Sequence, residues 1–341
     1  MLYFACAKRK NREGVKTSER LFSILAKKSS VNLITSRNGS ASRQMLEDDL
    51  AEHLVCPDCR QKITLAAKNR LVCIGCKRVF NLEDNFVQML PTEIKRNYED
   101  EAWKTLPWEG ADKPVWMSLL HKKYRILYFH EKILPNTDFT GKVLEIGAGT
   151  SWASAMIKKR YPSNLVVASD VSPFALEKGL SVARLLHSNI NYRIACDAER
   201  LPFSDAYFDV VLSNSTIHHF SNPQKGICEM WRVLRKGGKC CALGEVASGV
   251  LFKSILTSRV GPAGRRSRNL KIKERLYSLT EWKHFFAVCG FKTVRINFDK
   301  TWQHKLYDFS VAAYYRFLSN APDSIIGNFL PCNIDVFAKK T

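Results

Sequence analysis

From Lys142 onward, short apolar runs alternate with longer amphipathic stretches. KVLEIG, NLVVASD, NYRIACD, FDVVLSN and KCCALGE are apolar segments of strand length, and SWASAMIKKRY, PFALEKGLSVARLLH and PQKGICEMWRVLRKG lie between them with helical spacing of their apolar positions. Continuous apolar strands separated by such helices predict a parallel sheet covered on both faces. A basic stretch to Leu279 interrupts the pattern, followed by a helix opened by Thr280 and Glu281, the strand FKTVRINF and a final strand NIDVFAKK. Upstream, the chain divides into a leader at 1–44 without sustained periodicity, a small module at 45–95, and a helical linker or substrate cap at 96–135. PWEGADKP breaks that linker into two amphipathic halves. The α/β domain then spans 136–341 with an insertion at 249–280.

The chain has 341 residues, 45% of them apolar, enough to bury one sizeable core beside a smaller module. Its net charge of +21 suggests a phosphate-rich partner, RNA or an anionic membrane. The excess is uneven. Residues 1–44 carry ten bases and two acids, and residues 249–280 eight bases and one acid, so the rest of the chain is only mildly basic. The leader reads as disordered: a linker or a stretch preceding a true start at Met45, an acid-poor organelle presequence, or an RNA-binding arm. No segment reaches the roughly 18 consecutive apolar residues of a membrane helix. The opening MLYFACAKRKNR is the reverse of a secretory signal. A cytoplasmic monomer is expected, with organelle import through residues 1–44 as the alternative.

Eleven cysteines, an odd number with four of them in two Cys-x-x-Cys pairs, point to a reducing compartment and a metal. Cys56-Pro-Asp-Cys59 precedes Cys73-Ile-Gly-Cys76 by thirteen residues. Two tight turns closing together supply four soft, tetrahedral ligands, the set zinc prefers, with no position open for a substrate. The zinc is therefore expected to be structural. LVCPDCRQKITLAAKNRLVCIGCKRVFNLEDNFVQMLPTE resembles the small zinc-ribbon activator subunit of tRNA, ribosomal RNA and release-factor methyltransferases, including its closing strand into Met89-Leu90-Pro91. It is similar, more weakly, to the zinc domain of a bacterial ribosomal RNA guanine methyltransferase. The resemblance implies that the strand around Phe86–Met89 pairs with a methyltransferase, here following on the same chain.

Val143-Leu144-Glu145-Ile146-Gly147-Ala148-Gly149-Thr150-Ser151 reads as a strand, a glycine turn and a helix start, a local arrangement that admits a negative group. Asp170 ends the second strand, where ribose hydroxyls are gripped in nucleotide-binding folds, and Asp197 ends the third. Taken singly, either acid reads better as a helix cap; together at matching strand ends they read as ligand contacts. VLEIGAGT, SDVSPFALE, CDAERLPFSDAYFDVVLSNSTIHHF and RVLRKGGK, in that order, resemble class I S-adenosylmethionine-dependent methyltransferases of the ubiquinone and menaquinone group. That resemblance implies a Rossmann-like α/β sheet with helices on both faces, carrying an N-terminal zinc ribbon. It further implies that Glu145, Gly147, Ala148 and Gly149 hold the methionine end of S-adenosylmethionine and that Asp170 with Val171 takes the ribose region. Asp197 and Ala198 would take the adenine, and Asn214 would lie near the methionine moiety. Where many relatives have a third glycine this chain has Ser151.

Methyl transfer is an in-line displacement that positioning alone can accelerate, so the acceptor is hard to read. His218 or His219 could act as a base, or both could be loop residues. Ser213-Asn214-Ser215-Thr216 lacks the Asn/Asp-Pro-Pro-Tyr turn of amino-nitrogen methylases, which disfavours an exocyclic amine. Arg265, Arg266 and Arg268 read either as phosphate or carboxylate contacts or as a solvated lid. HKLYDFSVAAYYRFLSN reads as core or an apolar substrate wall. A small or lipid-like acceptor is expected. An RNA methyltransferase and a zinc-stabilised binding protein with an inactive domain are the alternatives.

Overall fold

The computed structural model describes residues 18–21, 23, 50–66, 69–94, 97–107, 110–249, 275–299, 320–323, 325–326 and 332–341. Most of the basic leader, the centre of the basic insertion with Arg265, Arg266 and Arg268, and nearly all of HKLYDFSVAAYYRFLSN lie outside them.

Four short strands open the described fold: β1 (Ile63–Ala66), β2 (Arg70–Cys73), β3 (Val79–Glu83) and β4 (Phe86–Gln88). The linker holds α1 (Tyr98–Thr105), α2 (Val115–His121) and α3 (Lys123–Tyr128), the last continuing through a π-helical turn at Phe129–Ile133. Pro114 sits at the N-cap of α2 with extended backbone, so the break at PWEGADKP follows from proline geometry. The alternating region then gives β5 (Lys142–Ile146), α4 (Trp152–Arg160), β6 (Leu165–Asp170), α5 (Pro173–Leu185), β7 (Tyr192–Ala195), β8 (Phe208–Asn214), α6 (Pro223–Val233) and β9 (Leu234–Ala247). It closes with α7 (Leu279–Val288), β10 (Thr293–Asp299) and β11 (Cys332–Lys339).

All eleven strands form one sheet in the order β1-β2-β3-β4-β7-β6-β5-β8-β9-β11-β10. β7, β6, β5, β8 and β9, the five apolar runs, are parallel as their pattern predicts, and β11 is antiparallel to both β9 and β10, so the sheet as a whole is mixed. Side chains alternate across it. Leu144, Ile146, Val167 and Ile194 meet α6 and α7 through Ile227, Met230, Trp282 and Phe286, while Val143, Val166, Val210 and Leu212 meet α3, α4 and α5. Helices therefore cover both faces of the sheet.

Two local expectations shift. The helix read as PQKGICEMWRVLRKG ends at Val233, because Leu234 is already extended and RKGG belongs to β9, with Gly237 at φ 77°. The helix read as opening at Thr280 starts one residue earlier. Ser278 caps the Glu281 N–H while the Glu281 carboxylate accepts from the Ser278 N–H, a reciprocal capping box. Cys228 of α6 and Cys289 after α7 form a disulfide, which an all-thiol reading of the cysteines does not anticipate. Among the described residues no helix is long and apolar enough to cross a membrane.

Candidate functional site

Strand order reverses between β5 and β8, and in open α/β sheets ligands gather at the carboxyl ends of the strands beside such a switch. Every residue expected to touch the cofactor lies on this crest. Gly147 and Gly149, at φ 63° and 52°, turn the chain after β5. A Cβ on Gly147 would come within 1.9 Å of the Thr216 methyl, and one on Gly149 within 2.9 Å of the Trp103 ring, so neither position admits a side chain. At the third-glycine position Ser151 adopts the left-handed conformation at φ 56° and packs against Gly179 of α5, whose own Cβ would meet the serine hydroxyl at 2.7 Å. The missing glycine is thus supplied by a neighbouring helix.

The Glu145 carboxylate is buried beneath the turn and accepts from the Ser154 N–H at 2.8 Å and hydroxyl at 2.5 Å, fastening β5 to the first turn of α4. Burial pushes its carboxyl up to about 7 despite those two donors. Asp170 is also buried. One oxygen accepts from the Gly149 N–H at 2.7 Å, the other from the Ser172 N–H at 2.8 Å, and burial raises its pKa against these bonds and the nearby Lys122 charge. Asp197 is half-exposed and caps the turn at Ala198–Arg200 through the Glu199 N–H at 2.9 Å, so the capping role is realised in the same residue that faces the crest. Ala198 opens that turn, and Val171 follows Asp170, its carbonyl accepting from the Asn97 amide. Asn214 ends β8, where its Oδ1 accepts from Arg125 Nη2 at 2.8 Å.

The linker contributes residues that the local sequence did not single out. Asp100 of α1 accepts from the Ser172 hydroxyl at 2.7 Å and the Phe174 N–H at 3.0 Å. Trp103 lies over Gly149, and Lys122 Nζ is 4.8 Å from the Trp103 ring centroid. Beyond β8, His218 Nδ1 lies 2.7 Å from Glu245 Oε2, and the two imidazoles of His218 and His219 lie 4.2 Å apart. Glu245 is buried. Desolvation opposes its ionisation, but His218 and the N–H groups of Thr216 and Ile217 prevail and hold the carboxyl below its ordinary value.

In the ribbon, the sulfurs of Cys56, Cys59, Cys73 and Cys76 lie within 4.8 Å of one another, with Cys56–Cys76 at 3.6 Å and Cys59–Cys73 at 3.3 Å, and none is oxidised. The two pairs are built alike. Arg60 N–H returns to the Cys56 carbonyl at 3.0 Å and Lys77 N–H to the Cys73 carbonyl at 3.1 Å, with Arg60 and Lys77 both left-handed. β4 pairs in parallel with β7, and the ribbon shares its apolar core with Tyr192, Ile194, Leu201 and Phe203.

A family described as a methyltransferase domain matches residues 144–242. A 2-methyl-6-phytyl-1,4-hydroquinone methyltransferase of Oryza sativa subsp. japonica is 38% identical over 105 residues, 31% of this chain and 31% of that protein. A ubiquinone/menaquinone biosynthesis C-methyltransferase of Desulfotalea psychrophila is 31% identical over 103 residues, 30% of this chain and 41% of that protein. The chain thus spans less than half the length of these curated relatives. The crystal structure of the YcgJ protein of Bacillus subtilis aligns with a TM-score of 0.43 at 21% identity, covering 64% of this chain and 98% of that one. The residues 144–242 that match the methyltransferase domain lie on a Rossmann-like α/β sheet whose strand order reverses beside the glycine turn.

Proposed function

We propose that the protein transfers a methyl group from S-adenosylmethionine to a small or lipid-like acceptor of the quinol kind. The observation that carries this reading is Asp170, a buried carboxylate fixed by the Gly149 and Ser172 N–H groups at the end of the strand beside the glycine turn. The hydroquinone and ubiquinone chemistry in the relatives' names supports the acceptor class. The donor set suits the cofactor: the backbone of the turn at Gly147 and Gly149 for the methionine end, Asp170 and Val171 for the ribose, Asp197 and Ala198 for the adenine, and Asn214 towards the sulfur. When bound, S-adenosylmethionine supplies an electrophilic methyl on a sulfonium.

The chain's own residues do the positioning. Glu145 anchors α4 so that the turn keeps its shape, and α1 covers the crest through Asp100 and Trp103, excluding water. Glu245 orients His218 by its Nδ1, which leaves Nε2 to accept a proton from the acceptor.

In this reading the four ribbon cysteines bind one structural zinc. The Cys56–Cys76 and Cys59–Cys73 separations of 3.6 and 3.3 Å suit a shared ion with Zn–S of about 2.3 Å, and a Gly75 side chain would strike Gln61 at 2.7 Å and Cys59 Sγ at 3.2 Å. The ribbon acts as an activator in cis, a role supported by the parallel pairing of Phe86–Gln88 with β7. The test is labelled methyl transfer from S-adenosylmethionine into fractionated cell extract. Label is expected in the organic or small-molecule fraction and absent from a Asp170→Ala variant; label in RNA would favour the RNA methyltransferase alternative.

A further inference from the structure

Resting on the methyltransferase reading, we propose that Arg125 is the anchor for an acidic oxygen of the methyl acceptor, a phenolate or enolate-type oxygen beside the carbon or oxygen to be methylated. Arg125 belongs to α3 and its side chain is 13% exposed, so its charge is largely withdrawn from water. Nη2 is pinned to Asn214 Oδ1 at 2.8 Å, which fixes the plane of the guanidinium. Nε and Nη1 are buried and, among the described residues, reach no hydrogen-bond acceptor. Asp299 Oδ2, at the end of β10, lies 3.8 Å from Nη1, close enough to balance charge and too far to satisfy the donor.

The fold makes room for this arrangement. Gly244 of β9 has φ 61°, and a Cβ there would fall 1.6 Å from Arg125 Nη2, so the guanidinium occupies the space that any other residue would fill. Around it the acids are engaged elsewhere. Asp335 accepts from the Tyr128 hydroxyl at 2.6 Å and from the Gly244 N–H at 2.8 Å, and burial with that carboxylate keeps Tyr128 protonated. The unpaired N–H groups of a fixed guanidinium match an anionic oxygen far better than an apolar group or a cation.

Position bears on which molecule supplies that oxygen. Asp170, Asp197 and the glycine turn line the β5-β6-β7 half of the crest and Gly244 and Asp299 belong to β9 and β10 on the other half, with Asn214, at the end of β8, between the acceptor side and the methionine end of the cofactor. The cofactor's carboxylate is the competing source of the same chemistry, and affinities for the two molecules separate them.

The experiment uses the full chain, Arg125→Gln and Arg125→Lys, each matched for thermal midpoint. S-adenosylhomocysteine and 4-nitrophenol, whose ionised form absorbs at longer wavelength, are titrated separately and together. Arg125→Gln is expected to keep S-adenosylhomocysteine affinity within about threefold, to bind 4-nitrophenol at least about tenfold more weakly, and to lose the phenolate band. Arg125→Lys, which keeps the charge and loses the fork, should fall between and serves if the glutamine variant does not fold. Probe binding that is absent from the wild type or unchanged in both variants overturns the proposal. So does a tenfold loss confined to S-adenosylhomocysteine, which assigns the arginine to the cofactor carboxylate. A wild type that binds the probe through Arg125 but never S-adenosylhomocysteine sinks the methyltransferase reading and leaves the anchor standing.

Discussion

The ribbon and the crest share a sheet and are held together by opposite means. The ribbon's four strands are short, and Leu65, Ile74 and Val79 stay exposed, so its own apolar core is thin. Its shape depends on four thiols at one point and on borrowing the edge of β7. The crest rests on strands buried on both faces, and its polar groups are fixed by buried hydrogen bonds such as Glu145 to Ser154 and Asp170 to Gly149. On the zinc reading, a module with little core of its own is stabilised by a metal and a neighbour, whereas a parallel sheet can hold unpaired and strained groups at its ends.

The two regions meet through reciprocal arginines. Arg60 of the first knuckle donates to the Leu201 carbonyl at 2.8 Å, and Arg200, next to the Asp197 turn, donates to the Asp58 carbonyl and pairs with Glu93 at 3.0 Å. Asp58 is itself held by Arg78 at 2.6 Å and by the Thr92 N–H at 2.9 Å; burial opposes its ionisation, but these donors keep its carboxyl below the ordinary range. The knuckle that carries Cys56 and Cys59 is therefore wired to the turn expected to hold the adenine.

The largest expected effect breaks this comparison at its weaker member. Cys73→Ser, or metal stripping by a strong chelator, should reduce zinc from one per chain and unravel the ribbon, with loss of solubility; metal analysis with near-ultraviolet circular dichroism checks it. A soluble, metal-free variant with intact ribbon signals would show that β7 alone suffices. A smaller effect sharpens the wiring. Arg200→Ala should cost about 1 kcal/mol of stability and weaken S-adenosylhomocysteine several-fold while zinc stays bound, read by denaturant unfolding and calorimetric titration. Unchanged affinity would mean that the ribbon only stabilises.

A third effect is confined to the crest. The Glu145 carboxyl lies above its unfolded value of 4.5 at about 7, so folding favours its protonated form. Its contribution is fully present below about pH 4.5 and is lost as pH rises through about 7. Glu145→Gln keeps an acceptor for Ser154 and removes the titration. Thermal midpoints should show the variant gaining on wild type between pH 5 and pH 8, by on the order of 1–3 kcal/mol; parallel curves would contradict the burial assignment.

Much of this was legible because the signals are local. The Cys-x-x-Cys pairs, the glycine turn and the acids at Asp170 and Asp197 each occupy a few consecutive residues, and the apolar runs gave β5 to β9. What escaped comes from distance. Arg125 meets Asn214 across 89 residues, and Asp100 meets Phe174 across 74, so no spacing rule links them. Gly244 inside an apolar strand and Glu245 after it hinted at a close approach and a buried partner, but neither names Arg125 or His218. The β9 boundary was misplaced because RKGG favours a helix end, while Leu234 already pairs with Phe208 and the Gly237 and Gly238 backbone bonds that of Lys340.

The central claim, a cofactor cradle on the crest, is tested most directly by calorimetric titration of the full chain with S-adenosylhomocysteine. Saturable one-to-one binding that falls at least about tenfold in Asp170→Ala, with the fold retained, is the predicted result. No binding by the wild type, or equal binding by the variant, would contradict it.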